Sequence, residues 1–169
     1  MKHLKTLVLA AALIFGSTSI MNAQSKVAHI NTQELIAAMP EYKAAQAEME
    51  KLGKTYEADI QSMGTEYQNK VKQYDAEAAT KTQEENQKRV QEVTAMEQNI
   101  RSYQATAQQE MQKKEFDLLK PITEKAKAAI IKVAKAQGFN YVLDSTQGQG
   151  VILADGKDLM ADVKKELGF

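Results

Sequence analysis

Residues 52–74 read LGKTYEADIQSMGTEYQNKVKQY, with a large apolar side chain at every third or fourth position. That spacing places the apolar residues on one face of a helix. They are Leu52, Tyr56, Ile60, Met63, Tyr67, Val71 and Tyr74. The steps between them repeat after eleven residues, a period typical of a nearly straight helical coil. Because so narrow a stripe covers one seam against one partner helix, we expect this segment to project from the body of the protein.

A second stripe of the same kind follows after residues 75–89, which contain no large apolar residue. It consists of Val90, Val93, Met96, Ile100 and Tyr103, and continues through Ala107 and Met111. If the chain folds back near residue 82, the two stripes match position by position, with Tyr74 opposite Val90, Val71 opposite Val93 and Leu52 opposite Met111. The matching predicts an antiparallel helical hairpin, a coiled-coil arm with its tip near residues 78–82. The alternative is one unbroken helix over residues 41–137, about 145 Å long. This alternative stays open because neither glycine nor proline marks the tip.

Several residues within the arm predict where its helices begin, bend or contact a neighbour. Thr82 with Glu85 has the spacing of a capping box, as does Thr80 with Gln83, so a helix is expected to begin there. Gly53 and Gly64 share one phase of the eleven-residue repeat. They are either tolerated surface glycines or mark a face where a neighbour approaches closely or the arm bends. Pro121 should kink or locally open the returning helix.

The two ends of the mature chain have a different pattern. Residues 26–31 and 139–144 are short β-branched or aromatic runs that predict strands, and Val151–Leu153 is a third candidate. The glycine-containing residues 145–150 between the last two predict a hairpin loop. Asn31 should cap a short helix over residues 33–38, and Pro40 should begin the arm. Gln137–Gly138 should end the returning helix, and Asp158 should cap a last helix.

The predicted fold is therefore mainly α with a small β body. Residues 24–41 and 119–169 should form an α/β body, and residues 42–118 should form the helical arm inserted between its two halves. Residues 1–23 precede both parts.

The first 23 residues have the pattern of an export signal. Lys2 and Lys5 supply the positive start, and residues 7–15 form a short apolar run. Crossing a bilayer takes about 20 apolar residues, which disfavours the alternative of an N-terminal membrane anchor. We expect cleavage after Ala23. The chain has no cysteine, which excludes a lipid-anchored lipoprotein.

Charge and composition limit the classes of partner. Loss of Lys2 and Lys5 with the signal leaves 20 basic residues against 22 acidic ones, a net charge of −2. Such a balance lacks the basic face that nucleic-acid binding needs. With no tryptophan, no cysteine and much alanine, a single chain has little bulky apolar material to bury. Self-association is the expected remedy.

The sequence offers no plausible catalytic or metal site. Of its two histidines, His3 lies in the signal and His29 lies in a predicted strand. The chain has no cysteine nucleophile, no phosphate-binding glycine loop and no serine elbow. Asp144, Asp155 and Asp158 do not have calcium-loop spacing. We therefore expect a protein that is not an enzyme and uses no cofactor and no metal.

Both ends of the chain carry short motifs in a characteristic order. They are Val27-Ala-His-Ile-Asn31 with Gln33-Glu-Leu-Ile36, the join Met39-Pro-Glu-Tyr42, then Phe139-Asn-Tyr-Val-Leu-Asp144 and Asp158-Leu-Met-Ala-Asp-Val163. With a coiled-coil insert between them, these motifs resemble the Skp/OmpH-like family of periplasmic chaperones, and the Met39–Tyr42 join is similar to members from the Bacteroidetes branch.

The resemblance implies a jellyfish-like homotrimer whose three arms enclose a cavity. That cavity would hold unfolded outer-membrane β-barrel proteins in the periplasm without ATP, prevent their aggregation and so assist outer-membrane protein assembly. No stable insertion into the membrane is expected. The mature chain is near neutral, whereas the best-known enterobacterial members are strongly basic, and no lipopolysaccharide site is carried over.

The residues expected to build the trimer body are Val27, Ile30, Phe139, Tyr141, Leu143, Val151 and Leu153. The apolar stripe residues of the arm, from Leu52 to Tyr74 and from Val90 to Tyr103, are expected to pack in its seam or to contact clients. A second interpretation is a structural or adaptor coiled-coil protein of the cell envelope with one fixed partner. An exported enzyme with a helical lid is a third, for which no site is present.

Overall fold

The computed structural model describes residues 26–169, so the predicted export signal and its cleavage point lie outside the described residues. Strand β1 (Val27–Ile30) is followed by helix α1 (Thr32–Ala38) and the long helix α2 (Pro40–Glu77). A 3-10 turn (Ala78–Thr80) leads into the longer helix α3 (Gln83–Ala136). Strand β2 (Tyr141–Asp144), strand β3 (Lys157–Asp158) and helix α4 (Met160–Leu167) complete the chain.

Helices α2 and α3 form the predicted antiparallel hairpin, and the single unbroken helix is excluded. Contacts that cross between the two helices join Glu41 to Lys125, Glu48 to Lys114, Tyr56 to Glu110, Asp59 to Tyr103, Lys70 to Glu92 and Glu77 to Arg89. The midpoint of each pair falls between residues 81 and 83, where the sequence placed the fold point. With 38 residues, α2 is about 57 Å long.

At the tip of the arm the chain reverses direction at the beginning of helix α3, without glycine or proline in the turn. Thr82 is the N-cap of α3; its hydroxyl accepts from the Glu85 backbone N–H, and the Glu85 carboxylate accepts in return from the Thr82 N–H. This is the predicted capping box. The Asn86 side chain also donates to the Ala78 carbonyl across the turn, at 2.9 Å. These bonds satisfy backbone groups that the two helix ends leave free, which explains a tight turn without glycine or proline.

Pro121 does not interrupt α3, which is assigned as helix continuously from Gln83 to Ala136. Pro121 therefore does not break the helix, and a kink or local opening at this residue stays a prediction. Pro121 is exposed, so water can reach the backbone carbonyl that its missing N–H leaves unbonded.

The body contains a three-stranded sheet in the order β2-β1-β3, and both outer strands run parallel to β1. Val27 pairs with Tyr141 and His29 with Leu143 on one side, while His29 pairs with Asp158 on the other. A parallel pair needs a long crossover, and the whole arm is the crossover between β1 and β2.

The prediction of a third strand at Val151–Leu153 and of a hairpin loop at residues 145–150 is wrong. A hairpin would have placed the new strand antiparallel beside β2, whereas the chain passes to the far side of β1 and only Lys157–Asp158 join the sheet. Gly156 lies at this return. A Cβ atom there would lie 3.4 Å from the Val27 carbonyl oxygen, so a side chain at this position would pack directly against β1.

The core lies where the sheet meets the roots of the arm helices and α4. Ala28 and Ile30 point from β1 into this core, and Val27 points away from it. The remaining members come from the helices and the chain preceding them: Leu35, Met39, Ala45, Ile122, Ala126, Ala129, Val133, Ala134, Leu159 and Val163. Such a core needs both ends of the chain and both roots of the arm.

Helix caps at the body agree with the sequence except at the last helix. The Asn31 side chain accepts from the Glu34 N–H at 3.0 Å, and Pro40 occupies the first turn of α2. The N-cap of α4 is Leu159, not Asp158. The Asp158 carboxylate still accepts from the Met160 N–H at 2.8 Å, so Asp158 binds the first turn of α4 from the residue before the N-cap.

Candidate functional site

The arm seam contains eleven of the twelve predicted stripe residues as partly buried side chains. They are Leu52, Tyr56, Ile60, Met63, Tyr67, Val71, Tyr74, Val93, Met96, Ile100 and Tyr103. Val90 is the exception, since 62% of it is exposed. The predicted pairing of Tyr74 with Val90 is therefore corrected: Val90 lies outside the seam.

Arg89 occupies the seam position that Val90 was expected to fill. Its guanidinium carbon lies 4.5 Å from the centre of the Tyr74 ring, and Nη2 donates to Glu77 Oε2 at 2.5 Å. The other terminal nitrogen, Nη1, is buried without a hydrogen-bond partner. Position 89 lies four residues before Val93, so helical periodicity alone could have assigned it to the seam. The charge of arginine concealed that assignment, because a guanidinium on an aromatic face can replace an apolar contact.

A polar cluster surrounds Arg89 near the tip of the arm. Lys70 Nζ lies 2.7 Å from Glu92 Oε1, and the Tyr74 hydroxyl donates to the same carboxylate. Hydrogen bonds from Lys70 and Tyr74 hold the pKa of Glu92 below its ordinary value. The pKa of Glu77 is lowered by hydrogen bonds from Gln73 and then Arg89. The tip is thus held together by charge-assisted hydrogen bonds as well as by apolar contact.

Two tyrosines stabilise the middle of the arm. The rings of Tyr56 and Tyr103 meet edge to face, with centroids 5.9 Å apart. The Tyr56 hydroxyl donates to Glu110, and the Tyr103 hydroxyl donates to Asp59 Oδ2 at 2.6 Å. The bond to Asp59, together with burial, raises the pKa of Tyr103 to about 12. The hydroxyls of Tyr56, Tyr74 and Tyr103 are therefore engaged within the arm itself.

The two arm glycines have different surroundings. A Cβ atom at Gly53 would lie 3.7 Å from the Met111 methyl carbon, an ordinary packing distance, whereas one at Gly64 would meet nothing within 4 Å. Beside Gly53, a groove of about 580 Å³ reaches the seam at Ile60 and Ala107. The side chain of the opposite helix packs at Gly53, and Gly64 is an open surface position.

The face of α3 opposite the seam carries no charge over eight turns. We call this face the outer stripe; its members are Gln87, Gln91, Thr94, Gln98, Ser102, Ala105, Gln109, Gln112 and Phe116. Steps of three and four residues keep them on one side of the helix. All nine are exposed. Apolar spacing gives no signal for this stripe, and its mark in the sequence is an absence of charge at helical spacing.

The sheet presents a second apolar surface. Val27, Tyr141 and Leu143 lie on the side of the sheet that faces away from the helices, and they are exposed by 43%, 60% and 45%. Phe139 and Val151 are partly buried, and Leu153 is 80% exposed. Ile30 is buried inside the single chain, so it supports this sheet from within and is not available to a second chain.

The described residues contain no cluster of acidic, histidine or cysteine side chains suited to a metal ion. In the same part of the chain, no helix is both long and apolar enough to cross a membrane. His29 Nδ1 lies 3.3 Å from the Ser145 hydroxyl, which links β1 to the loop after β2 and assigns the ring a structural contact.

Comparison with known proteins identifies the class. Residues 26–167 match the family model described as "Outer membrane protein (OmpH-like)". The match covers most of the chain, and the chain belongs to this family. That membership confirms the predicted resemblance and the expectation that the protein is not an enzyme.

Two particular relatives cover nearly the same length. The chain is 21% identical over 155 residues to the chaperone protein Skp of Pectobacterium atrosepticum, covering 92% of this chain and 93% of that protein. It is also similar to the crystal structure of an OmpH-like outer membrane chaperone from Caulobacter crescentus, with a TM-score of 0.77 and 20% identity. That alignment covers 86% of this chain and 85% of the other. The structural likeness confirms the fold, a mainly helical chain with a small sheet and a long arm.

Proposed function

We propose that this protein is an ATP-independent holding chaperone of the periplasm. Its clients are unfolded outer-membrane β-barrel proteins, which it keeps from aggregating in a cavity between several arms. The observation that carries the proposal is the arm itself: a hairpin about 57 Å long that projects from a small body and buries only one thin seam. Membership of the OmpH-like family and the name of the Skp relative support the same role.

The proposal includes a homotrimer assembled through the body. Its support is the apolar sheet face formed by Val27, Tyr141 and Leu143, an exposed surface that a second copy of the chain could cover. The predicted body residues Phe139, Val151 and Leu153 lie nearby in sequence, and Ile30 supports the face from the core. The arms would then leave the assembled body together and surround a common space.

The physical logic of holding agrees with the arm surface. A disordered client has no fixed shape, so many weak contacts spread over a long arm retain it better than one deep pocket. The adaptor interpretation requires a distinctive apolar patch at the tip of the arm, where one fixed partner would dock. Residues 75–89, which include the tip, have no large apolar side chain, which favours the chaperone.

The test is suppression of aggregation. An outer-membrane β-barrel protein unfolded in urea is diluted into buffer with the mature chain, and turbidity is followed. We expect turbidity to fall in proportion to added protein and to be independent of ATP. Unchanged turbidity at threefold excess over the client would contradict the proposal.

A matched control separates arm from body. Deleting residues 60–77 and 86–103 removes about five helical turns from each helix, so the remaining faces stay in phase and the turn at residues 78–85 is kept. We expect this shortened protein to remain folded and associated but to lose holding activity. Loss of association on this deletion would show that the arms, and not the ends of the chain, build the assembly.

A further inference from the structure

We propose that the outer stripe of α3 is the surface along which an extended segment of the client lies, with Phe116 as its apolar anchor. The inference rests on the proposed chaperone function and deepens it by assigning the client contact to one face of one helix. It differs from the expectation that seam residues contact the client, because those side chains are largely engaged with the opposite helix.

The first support is the charge distribution around α3. Charged residues are frequent on its other faces, for example Lys88, Glu92, Glu97, Arg101 and Glu110. Over the same length the outer stripe has none, and among the described residues all nine of its members are exposed. A surface without charge attracts and repels no particular client charge, which suits a binder of many different chains.

The second support is the chemistry of the stripe. Five of its nine members are glutamines. Each carboxamide offers two N–H donors and one carbonyl acceptor, the same groups that an unfolded polypeptide presents along its main chain. Thr94 and Ser102 add hydroxyls that both donate and accept. Contacts of this kind recognise the backbone, which every client shares, and not a particular side-chain sequence.

The third support is an apolar anchor at the body end of the stripe. Phe116 is 63% exposed, and a groove of about 690 Å³ lies beside it. Uncharged and charged side chains both line this groove: Gln112, Leu119 and Thr123 with Glu115, Lys120, Glu124 and Lys127. Its exposed surface is mainly apolar, and the Lys120 ammonium lies 6.0 Å from the ring centre. An exposed aromatic ring beside such a surface is suited to hold one apolar or aromatic client side chain, and the charged residues at the groove lie outside the outer stripe.

The length of the stripe fits a particular kind of client segment. From Gln87 to Phe116 the helix rises about 44 Å at 1.5 Å per residue, a length that about 13 residues of extended chain would span. A transmembrane β-strand has about 9–11 residues. One strand of an unfolded barrel can therefore lie along the stripe, with its alternating polar and apolar side chains partly exposed to solvent.

A second copy of the arm is the competing occupant, and the stripe is poorly suited to it. Helix pairing through a coiled coil requires apolar residues at most seam positions. Ala105 and Phe116 are the only apolar members of the outer stripe. On the outer stripe, polar side chains stand at most of the positions where the seam has apolar ones.

The experiment introduces charge at three stripe positions. Gln91, Gln98 and Gln109 are changed together to Glu in one variant and together to Lys in another. The control carries Gln46→Glu, Gln68→Glu and Gln104→Glu, which are exposed positions of the arm outside the stripe. Affinity for a fluorescent unfolded barrel protein is measured at physiological salt, and circular dichroism reports whether each variant is folded.

We expect both stripe variants to bind the client about tenfold more weakly, because either charge must be desolvated against the client backbone. The control should stay within about twofold of the wild type. Unchanged affinity in both stripe variants overturns the inference, and so does weakening by one sign of charge only, which would indicate long-range electrostatics. If the wild-type protein binds no unfolded barrel, the proposed function itself fails.

Site-directed crosslinking gives a readout that does not depend on affinity. A photoreactive phenylalanine analogue at position 98 should crosslink to the client, and the same group at position 104 should crosslink much less. Crosslinks from position 98 to another copy of the chain, with none to the client, would assign the stripe to arm–arm contact and overturn the inference. Phe116→Ala should reduce client crosslinking at position 112; full crosslinking there would remove Phe116 as the anchor.

Discussion

Single side chains determine how firmly the two arm helices are joined. Tyr56, Tyr74 and Tyr103 pack in the seam by their rings, and each donates its hydroxyl to a carboxylate of the opposite helix. An amphipathic tyrosine suits this position because its ring is buried while its hydroxyl remains at the edge of the seam. We infer that these tyrosines stabilise the pairing of the two arm helices. A client would then contact other faces of the arm.

Tyr103 provides a pH-dependent test of the seam. Its pKa of about 12 lies above the ordinary value of 10, so its bond to Asp59 contributes stability below pH 10 that is lost as the pH rises towards 12. NMR of ring-labelled tyrosine should show that Tyr103 loses its hydroxyl proton at a higher pH than an ordinary tyrosine. In Asp59→Ala its pKa should fall towards 10, whereas in Asp75→Ala, an exposed position remote from it, the pKa should not change. An ordinary pKa in the wild-type protein would contradict the contact.

Arg89 tests the polar cluster at the tip. Because its Nη1 is buried without a partner, Arg89→Met should keep the packing on Tyr74 and leave the free energy of unfolding unchanged or slightly higher. Glu77→Ala should lower that free energy, since it removes the partner of the Arg89 charge, whose side chain is only 17% exposed. Urea unfolding measures both. A large loss in Arg89→Met, with no loss in Glu77→Ala, would show that the cluster is described wrongly.

At the scale of helices and strands, the register of the arm was the most predictable feature. Two stripes with equal spacing determine one fold point, and the cross-helix contacts agree with it along the whole arm. The tip was also predictable, since Thr82 and Glu85 form a local motif. Arg89 was missed because periodicity was counted on apolar residues alone.

The arm register can be tested by a disulfide. Cysteines at positions 71 and 93 should oxidise within one chain, since a disulfide needs Cα atoms within about 7 Å. In an unbroken helix the same positions would be about 33 Å apart. A control pair at 71 and 105 should remain reduced, because position 105 lies on the outer stripe and about 18 Å along the helix from position 93. Bridges formed only between chains, analysed on a non-reducing gel at low protein concentration, would count against the register.

At the scale of the whole molecule, the body was harder to predict than the arm. The first two strands were identified by their residues, but neither their parallel pairing nor the partner on the far side of β1 has a local signal. Val151–Leu153 has the composition of a strand and lies outside the sheet, while Lys157–Asp158 pairs with β1 despite its poor strand propensity. The path of the chain explains why the second segment, and not the first, joins the sheet. The chain returns past β1 and so places Leu159 and Val163 in the core.

The exposed sheet face and the projecting arm differ in the kind of surface that they expose on a single chain. The body presents apolar surface that association would cover, and the arm presents polar surface that association would leave open. The proposed trimer accommodates both surfaces, because assembly through the body would cover the sheet face and place several arms around one space.

The most direct test of this account is the mass of the complex with a client. The mature protein is mixed with an unfolded outer-membrane β-barrel protein, and the complex is separated by gel filtration and measured by light scattering and native mass spectrometry. We predict three copies of the chain with one client, and three copies alone when the client is omitted. A stable monomer at micromolar concentration, or a trimer that forms no complex with any unfolded barrel, would contradict it.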